Sequence, residues 1–220
     1  MFDKLKQKLE TKIREMQQAQ IARMDLSRFN DPMTEKVEWT PMKSGGANFK
    51  TNILKQKSPS QYAFQLSKGG IIFTGLFGVI GTGVSIGGLI ALLSGEVVAL
   101  FFLFVGLIFT VASFFLYRTM GTPIYFDSSM GMIWKGKNQP KLAGNQQDKQ
   151  RVIYFNEVHA IQIISERVRS KNGSYSSYEI NLVLGDSSRF HLVDHGNYAQ
   201  IQTDSEILSG ILGKPIWDVS

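Results

Sequence analysis

The longest apolar stretch of the chain lies in its middle, between two polar flanks. From Gly69 to Tyr117, 49 residues contain one charged side chain, that of Glu96. One helix of that length would extend about 74 Å at ~1.5 Å per residue, against a hydrocarbon core of roughly 30 Å. Ser94-Gly95-Glu96 is a turn-forming sequence near the centre, and a core helix seldom runs so long without a polar face. We therefore predict a transmembrane hairpin over 69–117, with spans at 69–93 and 97–117.

The charges beside the two spans predict their orientation. Four lysines precede the first span, Arg118 follows the second, and the turn around Glu96 has no lysine or arginine. By the positive-inside rule both termini are cytoplasmic. No cleavable signal peptide is visible before residue 69, so we expect the first span to act as its own insertion signal. The lysines are Lys50, Lys55, Lys57 and Lys68.

The first predicted span carries small residues at three- and four-residue steps, which place them on one helix face. Small residues let helix backbones approach closely in lipid. The second span has a narrower small stripe, so the two stripes pack on each other or one receives another subunit. We expect self-association or docking onto a larger membrane complex. The first stripe is Gly70, Thr74, Gly78, Gly81, Ser85 and Gly88, with Gly83 and Gly87 on a neighbouring face; the second is Ala99, Gly106, Thr110 and Ser113.

The segment before the spans divides into two parts. Residues 1–30 have the periodicity of a basic amphipathic helix, which would lie on an anionic leaflet or pack on a partner. Asp31-Pro32 ends that pattern. Residues 31–68 are predicted to be extended and cytoplasmic, with short strands or extended pieces at 35–42, 48–56 and 61–67.

After the spans, short alternating segments predict an antiparallel sheet closed by a helix. Turn sequences at 127–131 and 171–174 predict hairpins, the second from its Asn-Gly pair. Asn197 is a plausible N-cap, and Gly213 ends the helix. The fold class is thus a membrane α-helical hairpin plus an α+β cytoplasmic domain over 118–220, antiparallel and capped by a C-terminal helix.

Several segments together resemble a known architecture. The paired spans, "IYFD…GMIWKGK", "YEINLVL…VDHGN" and "LGKPIWD" resemble bacterial two-span membrane proteins with a cytoplasmic pleckstrin-homology (PH)-like domain, over about residues 34–220. The resemblance implies a PH-like barrel or sheet and a location in the bacterial inner membrane. It carries no catalytic motif. The pattern predicts one strand fewer than a PH barrel usually has. Either the segment before the spans supplies the missing strand, or the count of strands is short by one.

Composition narrows the function classes. The chain has a net charge of +6, and residues 1–68 hold thirteen basic and seven acidic residues. The basic excess belongs to that segment, so we do not infer a nucleic-acid-binding domain. The chain contains no cysteine, which excludes disulfides, thiolate nucleophiles and cysteine-ligated metals. No charged residue lies inside the spans, which argues against a pump or a transporter.

The candidate chemistry is limited to one cluster and one loop. His191, Asp194 and His195 offer metal ligands or a hydrolytic site, but residues 191 and 194 of a strand project to opposite faces. We therefore predict no catalytic, cofactor-binding or metal-binding residues. A basic loop offers contacts to lipid phosphates, which makes anionic-lipid sensing an alternative function. Its residues are Lys135, Lys137, Lys141, Lys149 and Arg151.

The leading hypothesis is therefore a non-enzymatic integral membrane protein. It would act as an assembly or binding subunit, or a scaffold, through its cytoplasmic domain and its small-residue helix face. Its expected partners are the lipid bilayer and either copies of itself or a larger membrane complex, and not nucleic acid.

Overall fold

The computed structural model describes residues 24–140, 152–170 and 173–220, together with Thr11 and Glu15. Contacts divide the chain into two compact units. Residues 1–46 and 157–220 form the first, here called the terminal unit, and residues 47–156 form the second, the central unit. The amphipathic helix predicted over 1–30 falls largely outside the described residues.

Two long helices of the central unit confirm the helical hairpin. They are α1 (Lys68–Leu93) and α2 (Ala99–Met120), and both are long and apolar enough to cross a membrane. Helix α1 begins where the Ser67 hydroxyl accepts a hydrogen bond from the Gly70 N–H at 3.0 Å, a normal N-cap. Gly95 sits in the connecting turn at φ +94°, a conformation that glycine adopts without steric cost.

The rest of the central unit is a five-stranded antiparallel sheet in which neighbours in sequence are neighbours in space. Strand β2 ends just before α1, and its partner β3 begins just after α2, with Tyr62 opposite Phe126. The helical hairpin is thus an insertion between two paired strands. The strands are β1 (Asn52–Ser58), β2 (Gln61–Leu66), β3 (Ile124–Asp127), β4 (Met132–Lys135) and β5 (Val152–Tyr154).

This sheet confirms the strands predicted within 48–56 and 61–67 and the hairpin at 127–131. It also places strands from before and after the spans in one sheet. Strands β3, β4 and β5 pair within the central unit, whereas residues 157–220 belong to the terminal unit.

The terminal unit contains a four-stranded sheet and the C-terminal helix. Strands β6 (Val158–Ser170) and β7 (Gly173–Leu184) form the long hairpin predicted at 171–174, with Ser170 opposite Gly173. Strand β8 (Arg189–His195) pairs with β7, and the short β9 (Ile216–Asp218) runs parallel to β6. The sheet order is β8-β7-β6-β9.

Helix α3 (Tyr198–Leu212) begins and ends at the predicted residues. The Asn197 side chain accepts a hydrogen bond from the Gln200 N–H at 3.0 Å, and Gly213 terminates the helix at φ +64°. The helix packs on β6 and β7 through its apolar face. Ile201 and Leu208 of the helix are fully buried. The buried apolar residues on the facing side of β6 and β7 are Ile161, Ile163, Ile180 and Leu182.

The opposite face of the terminal sheet carries an apolar cluster as well as polar side chains. There Trp39 and Trp217 pack together with ring centroids 6.0 Å apart. They cover Ala160, Ile164 and Val183. Of the two alternatives for 35–42, the short strand is wrong. This segment contacts the sheet through side chains and not through strand pairing.

Candidate functional site

Beyond the tryptophan cluster, the same face of the terminal sheet carries a row of buried polar side chains. Gln162 lies opposite Asn181, which lies opposite His191, and Glu179 lies opposite Asp194. Gln162 and Asn181 are fully buried, and Glu179 is 3% exposed. The alternation on β7 predicts a solvent face for Glu179 and Asn181, but both are covered. Buried polar groups in folded proteins are normally hydrogen-bonded, so the cover must supply partners.

The cover is the segment 38–46, here called the strap. The Glu179 carboxylate accepts hydrogen bonds from the Met42 N–H at 2.9 Å and from the Lys43 N–H at 3.0 Å. The Glu166 carboxylate accepts one from the Gly45 N–H at 2.9 Å. Charge-assisted bonds of this kind are stronger than neutral ones, so two carboxylates on the sheet hold the strap by its main chain.

The first residues of the strap are held by donors from the sheet. Arg189 Nη1 donates to the Thr40 carbonyl at 2.6 Å, and Gln162 Nε2 donates to the Glu38 carbonyl at 3.1 Å. Trp39 fixes this end by donating from Nε1 to the Thr34 carbonyl at 2.8 Å. Side chains of the sheet therefore donate to main-chain carbonyls at the first end of the strap. They accept from main-chain N–H groups at its other end.

The close approach of the strap to the sheet depends on Gly46. A Cβ at this position would collide with the Ser177 side chain and lie 3.3 Å from Asp194 Oδ2. The Tyr175 hydroxyl donates to the Gly46 carbonyl at 2.8 Å. Any larger residue at 46 would lift the end of the strap from the sheet.

The candidate cluster of His191, Asp194 and His195 is divided between the two faces of the terminal sheet. The prediction that His191 and Asp194 project to opposite faces is wrong, because a β-bulge between Ile180 and Asn181 makes Leu192 an extra residue. His191 and Asp194 therefore share the strap face, with His191 Nδ1 3.9 Å from a Glu179 oxygen.

His195 lies on the other face of the same strand. It stands opposite Tyr178, is fully buried, and accepts a hydrogen bond from the Asn197 N–H at 3.2 Å. Strand alternation places it on the face opposite to Asp194, and the bulge separates it from His191, which would otherwise share its face. Within the part of the chain that the structure describes, no group of three histidine, aspartate or glutamate residues could hold a metal ion.

Burial sets the electrostatics of the strap face. It raises the pKa of Asp194, and the charges of Glu179 and Glu166 act in the same direction while Lys43 opposes them. Burial also lowers the pKa of Arg189, although Glu38 and Glu179 favour its charged form. The face is therefore a surface of carboxylates with one partly compensating guanidinium, suited to binding main-chain N–H groups.

The small-residue stripe of α1 is mostly used inside the hairpin. A Cβ at Gly81 would lie 2.6 Å from the Thr110 nitrogen of α2, and one at Gly88 would lie 2.6 Å from the Leu103 nitrogen. Gly78 approaches Ser113, whose hydroxyl donates to the Thr74 carbonyl at 2.7 Å. The two stripes therefore face each other.

The remaining small residues of α1 have different surroundings. Gly70 packs on Thr51 and Leu66 of the central unit, and Ser85 lies against Gly106. A Cβ at Gly83 or Gly87 would have no atom within 4 Å. Only these two of the predicted packing residues face open space.

The predicted basic loop is described only in part. Lys135 and Lys137 are exposed at the end of β4, whereas Lys141, Lys149 and Arg151 lie outside the described residues. The structure brings together a different set of lysines, Lys50, Lys55 and Lys68, around one cavity. From sequence alone these three lysines predict only the orientation of the spans. Lys50 lies just before β1 and Lys68 just after its partner β2, and this pairing of β1 with β2 brings them together.

No protein-family model matches the chain. No curated protein and no solved structure matches it either.

Proposed function

We propose that the protein is an integral membrane protein anchored by α1 and α2, with both termini in the cytoplasm of a bacterium. The most apolar windows of these helices are only 17% and 11% buried, whereas a core helix of a soluble protein is mostly buried. Outside their shared seam the helices expose valine, leucine, isoleucine and phenylalanine. Lysines flank α1 and Arg118 ends α2, while the turn between them carries only Glu96.

Reporter fusions test this topology. Alkaline phosphatase fused at Glu96 should be active, because that enzyme folds only outside the cytoplasm, and a fluorescent protein fused after Ser220 should be bright. The inverse pair of results, or solubility of the unfused chain without detergent, would contradict the membrane assignment.

The part outside the membrane is proposed to be a PH-like binding domain. Support comes from the antiparallel strands β6, β7 and β8 and from the C-terminal helix α3, which packs on β6 and β7. The polar row supports a binding role over catalysis, because its Glu179 carboxylate already accepts hydrogen bonds from two main-chain N–H groups of the strap. We infer a non-enzymatic assembly or scaffold subunit.

The observation that carries the assembly role is the open face of α1. Gly83 and Gly87 form a small-xxx-small pair at which an added Cβ would meet no described atom within 4 Å, and such pairs allow two copies of a helix to pack closely in lipid. A second copy of the chain fits this face, because a two-fold interface uses the same patch on both subunits.

Replacing both Gly83 and Gly87 with leucine should convert an oligomer into a monomer in mild detergent. A loss of ~2 kcal/mol weakens association about thirtyfold, which mass photometry or light scattering resolves. The hairpin should survive because both positions are open. Ala112→Leu, a small exposed residue on α2, is the matched control and should leave the size unchanged. A wild-type protein that is already monomeric would refute self-association.

A further inference from the structure

A cavity of about 440 Å³ lies where the chain enters α1. Its walls come from the residues just before β1, from β1 itself and from the first turn of α1. Three of its lining residues are lysines and none is acidic. The lining residues are Phe49, Lys50, Ile53, Lys55, Ser67, Lys68 and Gly69.

The backbone that carries these lysines is fixed. The Ser67 hydroxyl donates to the Lys50 carbonyl at 2.6 Å while accepting from the Gly70 N–H, and the Ser67 N–H donates to the Thr51 carbonyl at 2.8 Å. The entry to β1 and the start of α1 are thereby tied together. Lys50 and Lys68, 18 positions apart in sequence, are held at one site without rearrangement.

The cavity continues into an apolar surface on the helices. Phe49 packs on Phe73 with ring centroids 5.2 Å apart, Phe73 packs on Phe77 at 5.2 Å, and Phe77 stacks on Phe109 of α2 at 5.9 Å. These rings form a column that descends from the cavity along the helix pair. A ligand with a charged end and a long apolar end matches both parts.

We propose that this cavity binds the phosphate of an anionic glycerophospholipid, with an acyl chain along the phenylalanine column. The proposal rests on the membrane insertion proposed above, which puts the cavity at the cytoplasmic headgroup level. A phosphate in the cavity would receive charge-assisted hydrogen bonds from the ammonium groups of the three lining lysines, and the positive end of the α1 dipole would add to them. A zwitterionic headgroup would offset the phosphate with its own cation and bind more weakly.

The simpler explanation is that these lysines only satisfy the positive-inside rule. Lys57 separates the two explanations, because it lies on β1 two residues from Lys55 but outside the cavity, where its ammonium donates to Gln65. A general attraction of basic residues to the membrane would use Lys57 as much as Lys55. A defined site would not.

The test uses the full chain in a nonionic detergent, with phosphatidylglycerol or phosphatidylcholine added and binding followed by native mass spectrometry. Wild type should bind phosphatidylglycerol at least tenfold more tightly than phosphatidylcholine. The combined change Lys50→Gln, Lys55→Gln and Lys68→Gln should weaken phosphatidylglycerol binding about a hundredfold, or about fivefold per lysine. Lys57→Gln should bind phosphatidylglycerol within twofold of wild type. Lys55→Gln alone should weaken binding about fivefold, which keeps the test valid if the triple variant does not fold.

Three results would overturn the site: equal affinities for wild type and triple variant, an equal loss in Lys57→Gln, or equal binding by inorganic phosphate alone. The last would indicate a general anion site rather than a lipid site. Alkaline extraction of membranes separates this proposal from the one it rests on. If wild type is extracted, membrane insertion fails and the lipid site with it; if wild type is retained while affinities are equal, only the lipid site fails.

Discussion

Replacing Gly81 or Gly106 with leucine is expected to force α1 and α2 apart. A Cβ at Gly81 would lie 2.6 Å from the Thr110 nitrogen, and one at Gly106 would lie 2.5 Å from the Ser85 nitrogen. These neighbours are backbone atoms, which cannot rotate away as a side chain can. Overpacking a well-packed site costs about 1–3 kcal/mol, and a leucine against a rigid helix backbone should lie at the upper end.

Helix separation is measurable by disulfide cross-linking, since the chain has no cysteine of its own. A Cβ at Gly78 would lie 3.6 Å from the Ser113 Cβ, inside the roughly 3.5–4.5 Å that disulfides span. Gly78→Cys with Ser113→Cys should therefore oxidise readily in membranes, shown by the loss of maleimide-reactive thiols after denaturation. Adding Gly81→Leu should suppress the cross-link.

The control for this experiment is a leucine at an open glycine of the same helix. Gly83→Leu changes side-chain volume and helix propensity as Gly81→Leu does, but its Cβ meets no atom within 4 Å. Cross-linking should then match that of the cysteine pair alone. If Gly81→Leu cross-links as well as Gly83→Leu, the helices do not pack through this seam.

The helices and hairpins were predictable because each rests on local sequence. The start of α3 at Asn197 and its end at Gly213 follow from side chains next to the positions they cap. The long β6–β7 hairpin follows from a turn pair between two alternating segments. Span boundaries follow from the distribution of charge around 69–117.

The strap site was not predictable, because its determinants are far apart in sequence. Glu179 bonds to Met42, 137 positions away, and nothing in either segment indicates the other. A strand has the same alternating sequence pattern whether its polar face is exposed to water or covered by another segment. No sequence feature indicates the bulge at Leu192 either. The bulge places Asp194 on the same face as His191, whereas regular alternation would place the two on opposite faces.

Replacing Glu179 with alanine is expected to release the strap from the sheet. The change removes the acceptors for the Met42 and Lys43 N–H groups, which lie 2.9 and 3.0 Å from the two carboxylate oxygens. A hydrogen bond to a charged group contributes about 1.5–3 kcal/mol. Because freed N–H groups of a lifted strap can bond to water, we expect a local loss of ~3 kcal/mol. Hydrogen exchange of the amides at 42–45, read by peptide mass spectrometry, should accelerate about a hundredfold.

Two other carboxylates, Glu38 on the strap and Asp194 on the sheet, provide controls with different expected effects. Glu38→Ala removes a side chain that is 70% exposed and contacts Arg189 at 3.3 Å; an exposed ion pair is worth at most about 1 kcal/mol, so exchange should rise little. Asp194→Asn should slow exchange at pH 7. Burial raises the pKa of Asp194 when the strap is closed. As pH rises above ~4, the carboxyl group therefore loses its proton in the open state before it does so in the closed state. Opening of the strap becomes easier over this range, up to the pKa of the closed state. The difference between Asp194→Asn and wild type should vanish below about pH 3, where both states are protonated. Equal acceleration in all three variants would mean that general charge, and not the Glu179 contacts, holds the strap in place.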